Sequence, residues 1–209
     1  MVEKRPCTEK ETALFAAVTR LAASGRELHS LKVSEIAAEA GIGKGTVYEY
    51  FKSKEELIGA AMLYNLEQLF ARAEETLAGA EGFREGFYAC IGMVREALQR
   101  RLSGVQMLVS ELRRGELETY LGGRMEELEQ YRSRMDALIA RVVLLGEAEG
   151  LFAAADPWGY RRFVFGAAVA SSAMAGGVCL QQGEARQLDG YAYEMLLRAL
   201  RGPQREEKT

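Results

Sequence analysis

Between Lys44 and Lys54 the chain sets Lys44, Thr46, Tyr48, Tyr50, Lys52 and Lys54 at two-residue intervals. Together they offer ammonium groups, a hydroxyl, phenols and ring faces. Such groups grip phosphate oxygens and base edges, ammonium as a point charge and hydroxyl as a hydrogen-bond donor. From Gly41 to Lys54 three lysines stand against Glu49 alone, whereas the whole chain of 209 residues has a net charge of −3. Attraction to a polyanion must therefore come from a placed patch, not from bulk charge.

The residues around this patch say how it is held. Val33, Ile36, Ala37 and Ala40 recur at helical spacing, and Gly41-Ile42-Gly43 then breaks the pattern. Gly41 suits the left-handed conformation that ends a helix. Val47 and Phe51, four residues apart, turn the next short helix inward and leave the polar residues outside. A short helix held by another packed across it is the layout that reads the DNA major groove. Lys44, Gly45 and Thr46 open the second helix, where free backbone N–H groups favour an anion and Gly45 lets the backbone approach closely. Ser53 with Glu56 three residues on forms a capping box for a helix running to about Ala78. Upstream, Leu14, Phe15, Val18 and Leu21 make one stripe of a helix over 8–24, ended by Gly25.

From Ile36 to Leu57 the chain resembles the TetR family of bacterial transcription regulators, through I-A-x-x-A-G-I-x-K-G-T-V-Y-x-Y-F-K-S-K-E-E-L. The resemblance implies that Tyr48, Tyr50 and Lys54 contact the DNA backbone and that Lys44 and Thr46 contact bases or phosphates. Gly45 belongs to the same DNA-binding set, and Ser34 sits where some members place a base-reading side chain. This chain departs from the family in having Leu31 and Lys32 where a Ser or Thr cap is usual, Gly43 for a common Ser, and Glu49 in the reading helix. The resemblance also implies a palindromic double-stranded operator, a homodimer paired through its last two long helices, and a small-molecule effector.

The remainder reads as helical almost throughout, at about 83–102, 104–113, 119–149, 157–181 and 189–201, with Gly150 and Gly183 as stops and Asp156-Pro157 as a start. The expected fold is all-α. A helix-turn-helix DNA-binding domain spans 8–68, and a helical effector-binding and dimerisation domain spans 69–202. Its Met and aromatic content suits an apolar or amphipathic effector, with Phe87, Met107, Tyr131 and Phe163 as the expected lining. The Ala-Ser-Gly run from Gly166 to Gly177 permits close helix approach.

Other classes fit less well. His29 is the sole histidine, no nucleophile–base pair is spaced for catalysis, and no Glu-x-x-His pair exists. An enzyme is not expected, nor is a cofactor or a metal site. Cys7, Cys90 and Cys179 are odd in number and far apart, which fits a reducing cytoplasm. The polar N-terminus reads as no signal peptide. The apolar stretch Phe163–Leu180 is marginal for a membrane span, and none is expected. The alternative to a DNA-binding regulator is a helical ligand-binding or adaptor protein, or less readily a small helical enzyme.

Overall fold

The computed structural model describes residues 6–99, 117–152, 158–178 and 182–201. Among these every regular element is helical. The helices are α1 (Glu9–Ala23), α2 (Val33–Glu39), α3 (Lys44–Tyr50), α4 (Lys54–Ala78), α5 (Phe83–Gln99), α6 (Leu117–Leu121), α7 (Met125–Ala148), α8 (Trp158–Val178) and α9 (Gln182–Arg201), with short 3-10 turns at Leu28–Ser30 and Gly122–Arg124. The chain divides into two compact units. The first comprises Met1–Leu69 and Arg101–Leu128, the second Phe70–Arg100 and Glu129–Thr209.

In the first unit, α1 starts at a capping box. Thr8 accepts from the Glu11 N–H at 3.2 Å, and the Glu11 carboxylate accepts from the Thr8 N–H at 2.8 Å. That reciprocal arrangement satisfies two N–H groups the first turn would otherwise leave open. Leu14, Phe15 and Val18 of α1, Ile36 and Ala37 of α2, Val47 of α3 and Leu57, Ile58, Ala61 and Met62 of α4 are buried. Each of these Val, Leu, Ile, Met and Phe side chains contributes roughly 1.5–3 kcal/mol on leaving water. Tyr120 and Leu121 of α6 are buried too. They reach α4 at Gly59, where an added Cβ would lie 2.0 Å from the Tyr120 carbonyl oxygen. Only a residue without a side chain admits the backbone of α6 there.

The second unit is built on α5, α8 and α9, with α7 and the end of α4 packed around them. Its core joins Leu77, Phe83, Phe87, Ile91, Val142, Phe165, Ala168, Val169, Leu196 and Leu197. Helix ends are closed by side chains from elsewhere in the unit. The Glu149 carboxylate accepts the Phe83 N–H at the start of α5 (2.6 Å), and Arg141 donates to the Leu77 and Ala78 carbonyls at the end of α4 (2.9 and 3.0 Å). An ion pair enters this interior. Arg95 continues the inward stripe Phe87–Ile91 and donates to both Asp189 oxygens at 3.2 and 2.6 Å, while the Ser172 hydroxyl donates to the same carboxylate. It ties α5 to α8 and α9.

Two expected boundaries move. The last helix begins at Gln182, not at 189, so Gly183 lies in its first turn and is no stop. The stripe Ala185, Leu188, Ala192, Leu196 continues the buried face back to that turn, and packing outweighs the roughly 1 kcal/mol that glycine costs a helix. The helix expected over 119–149 is interrupted: α6 ends at Leu121, Gly122 takes φ +49°, and α7 starts at Met125. The helix at 104–113 and the Asp156-Pro157 start lie outside the described residues. Gly25 and Gly150 adopt positive φ at the helix ends where stops were expected. No described helix is long and apolar enough to cross a membrane.

Candidate nucleic-acid interface

The α2–α3 turn is set by backbone hydrogen bonds. Gly41 has φ +68°. Its N–H donates to the Ala38 carbonyl at 3.1 Å, and the Ile42 N–H donates to Ala37 at 2.9 Å. This pair of bonds closes the last turn of α2 and turns the chain sharply into α3. Gly43 caps α3 without a side-chain bond. At the start of α2, Lys32 has no side-chain acceptor to offer. Only the reciprocal half of a capping box is present, the Glu35 carboxylate accepting the Lys32 N–H at 2.8 Å. That hydrogen bond, with Arg26 beside it, holds the Glu35 carboxyl below the usual carboxylate range.

The fold fixes α3 through two inward residues. Val47 is 1% exposed and Phe51, which follows the helix, is 6% exposed. Phe51 meets Phe15 of α1 edge to face at a centroid distance of 5.9 Å. Arg20 of α1 donates to the Glu39 carboxylate at 2.6 Å and to the Glu39 carbonyl at 3.1 Å, so α1 also holds the end of α2. The remaining face of α3 is left outward. Lys44, Gly45, Tyr48 and Glu49 are exposed, while Thr46 and Tyr50 are half-buried. Tyr48 is 51% exposed, unusual for so large a ring. Ser34 is exposed on the first turn of α2. A Cβ at Gly45 would meet no atom within 4 Å, so packing inside the chain does not require glycine there.

Lys54 opens α4. Ser53 accepts the Glu56 N–H at 3.1 Å, as the S-x-x-E pattern requires, but the Glu56 carboxylate takes the Lys52 N–H at 2.7 Å, one residue earlier than in a standard box. The Lys54 ammonium donates to the His29 carbonyl at 2.7 Å. That bond joins the start of α4 to the loop before α2, a link between residues too distant in sequence for pattern reading to find. Lys54 therefore has a positioning role inside the unit besides its positive charge.

The expected effector-lining residues are not brought together. Phe87 is fully buried, packed against Phe165 at 5.6 Å and Tyr193 at 5.9 Å. Tyr131 packs instead on Phe70 at 5.3 Å. Phe163 is 73% exposed among the described residues. The buried stripe of α8 runs through Phe165, Ala168, Val169, Ser172 and Ala173, and a residue two positions before Phe165 points to the other side. Met107 lies outside the described residues.

The sequence model for bacterial regulatory proteins of the tetR family matches residues 16–61. The chain is 32% identical over 155 residues to the fatty acid metabolism regulator protein of Bacillus subtilis, covering 72% of this chain and 76% of that one. It is 30% identical over 110 residues to the HTH-type transcriptional repressor KstR2 of Mycolicibacterium smegmatis, covering 53% of each. The fold is similar to the crystal structure of the transcriptional regulator FadR from Bacillus subtilis in complex with stearoyl-CoA, with a TM-score of 0.64 at 22% identity over 90% of this chain and 98% of that one. With its α2–α3 pair held by buried Val47 and Phe51, and with a relative of this identity and coverage, the chain belongs to the tetR family of bacterial regulatory proteins, transcriptional regulators that bind DNA and not enzymes.

Proposed function

We propose that this regulator is a homodimeric, cytoplasmic repressor of a palindromic operator, released by a small apolar or amphipathic effector of the long-chain acyl-CoA type. The observation that carries the effector class is the relative at 32% identity over most of both chains, named a fatty acid metabolism regulator. The bound stearoyl-CoA in the structurally similar FadR supports the same class. Residues 8–68 form the DNA-binding domain and 69–202 the effector-binding and dimerisation domain. Lys44, Gly45, Thr46, Tyr48, Tyr50, Lys54 and Ser34 make the DNA contacts. The effector sits within the α5–α8–α9 unit, beside the aromatic side chains around Phe87.

A second copy supplies the other half of the reader. Tyr160, Phe163, Ala167, Ala170 and Met174 form an exposed apolar stripe along α8, at three- and four-residue spacing, and Tyr191 and Met195 are exposed on α9. A stripe of this kind calls for a partner helix. In such a dimer two α3 helices about 34 Å apart enter successive major grooves. The effector favours a pose with a different spacing, which needs a coupling of about 1–3 kcal/mol. Helices α4 and α7 each start in the first unit and end in the second.

Fluorescence anisotropy with DNA from the chain's own upstream promoter tests this reading. Operator affinity falls on adding stearoyl-CoA and is unchanged by coenzyme A alone. Binding of stearoyl-CoA that leaves operator affinity intact refutes the coupling.

A further inference from the structure

The ion pair between α5 and α9 leaves one donor over. Arg95 Nη1 donates to Asp189 Oδ2 and Nη2 to Asp189 Oδ1. Nη2 also donates to the Ser172 carbonyl at 3.4 Å. The Ser172 hydroxyl donates to Asp189 Oδ1, so the carboxylate is held from α5 and α8 together. The Arg95 Nε, by contrast, is buried and has no hydrogen-bond partner. The two charged side chains are 19% and 15% exposed, and Ser172 is buried. A buried N–H without an acceptor is costly and rare. Arg95 also ends the inward stripe Phe83, Phe87, Ile91 of α5, which is otherwise hydrocarbon. At the rise of a helix it lies about 12 Å along the axis from Phe87.

We propose that the Arg95 Nε recognises a neutral carbonyl oxygen of the effector. The inference rests on the acyl-CoA reading above, in which that oxygen belongs to the thioester. The charge balance of the cluster selects this group. A carboxylate or phosphate takes the paired donors of a guanidinium, and Asp189 already occupies them. Asp189 also cancels the arginine charge, so an anion at Nε gains no net attraction and meets the Ser172 carbonyl dipole. A cation is repelled by the guanidinium that it would have to approach. A single uncharged acceptor matches the single donor, and the apolar stripe beside it suits the chain that carries the carbonyl.

The test compares two ligands on the full-length protein by calorimetry. They are stearoyl-CoA and S-octadecyl-CoA, a thioether in which CH2 replaces the carbonyl. The parent binds the thioether at least about tenfold more weakly. Arg95→Lys keeps a positive charge opposite Asp189 but removes Nε, so the gap between the two ligands closes. A merely structural role would lower both affinities and leave the gap. Isotope-edited infrared spectra of stearoyl-CoA labelled with carbon-13 at the carbonyl keep the inference falsifiable where the variant unfolds. In the parent the bound carbonyl band moves to lower frequency. Equal affinity for the two ligands, an unshifted band, or a gap that persists in Arg95→Lys overturns the Nε contact and leaves the acyl-CoA reading standing. Failure of both ligands to bind sinks that reading, and the inference with it.

Discussion

The Lys54 ammonium lies 2.7 Å from the His29 carbonyl oxygen, across 25 residues of sequence. The side chain is 23% exposed, so the charge is neither buried nor fully solvated. An ammonium has three donors, and one bond to a carbonyl leaves capacity for a phosphate. The same residue can thus hold the loop before α2 and neutralise the DNA backbone. Lys54→Ala is expected to weaken specific and non-specific binding equally and to reduce the salt slope by about one unit. It also removes a charge-assisted bond at a partly exposed site, so a loss of about 1 kcal/mol in stability is expected. Anisotropy titrations at several salt concentrations, with a urea melt, check both. A changed sequence preference with intact non-specific affinity contradicts the assignment.

Gly45 separates folding from binding. Nothing within the chain lies within 4 Å of a Cβ placed there. Gly45→Ala is therefore expected to stabilise the protein by up to about 1 kcal/mol through helix propensity. If the backbone at Gly45 approaches DNA, the added methyl group weakens operator binding at the same time. A variant that melts higher and binds DNA as tightly as the parent removes Gly45 from the interface.

Tyr48 gives a complementary case, because its ring is exposed and plays no part in the core. Tyr48→Phe is expected to change stability by less than about 0.5 kcal/mol. It lowers operator and non-specific affinity together if the hydroxyl donates to a phosphate. Thermal melts paired with anisotropy decide this, and unchanged affinity for both DNAs excludes the hydroxyl as a contact.

The parts of the structure legible in the sequence are those encoded within one or two turns. The Gly41 turn, the Ser53 cap and the inward pair Val47 and Phe51 each follow from residue type and short spacing. The misplaced elements depend on partners far along the chain. Gly183 reads as a stop in isolation, yet Ala185 and the residues after it pack on α8 and carry the helix through. Gly122 stands in an otherwise helical run, and its positive φ separates α6 from α7. Phe163 looks like core by composition, and only the phase of α8, set by Phe165 and Ala168 against α5, turns it outward. The Lys54–His29 bond and the Gly59–Tyr120 contact have no local signature.

At that last contact, α4 and α6 approach backbone to backbone. An alanine Cβ at position 59 would sit 2.0 Å from the Tyr120 carbonyl oxygen, a distance that forces α6 to move. Gly59→Ala should destabilise the first unit by about 1–3 kcal/mol, the usual range for overpacking. Hydrogen exchange should rise in Leu117–Leu121 more than in α1. Unaltered stability and exchange there would show that α6 is not held against Gly59 in solution.

The stripe along α8 carries the clearest consequence for assembly. Tyr160, Phe163, Ala167, Ala170 and Met174 are exposed in a single copy, and Ala170 is the centre of its small-residue part. If two copies pair through α8 and α9, Ala170 faces the partner at close range. Arginine there introduces a long side chain and a charge with no paired carboxylate in the exposed stripe. Burying such a charge is costly enough to drive the equilibrium to monomer. Folding of each copy should survive, because Ala170 is exposed and lies outside the core of the second unit. Operator affinity should then fall steeply, since one copy spans only a half-site. Multi-angle light scattering at micromolar concentration, with a thermal melt of the same sample, checks the chain of reasoning. A monomeric parent protein refutes the dimer, and a dimeric Ala170→Arg variant with unchanged operator affinity moves the interface away from this face of α8.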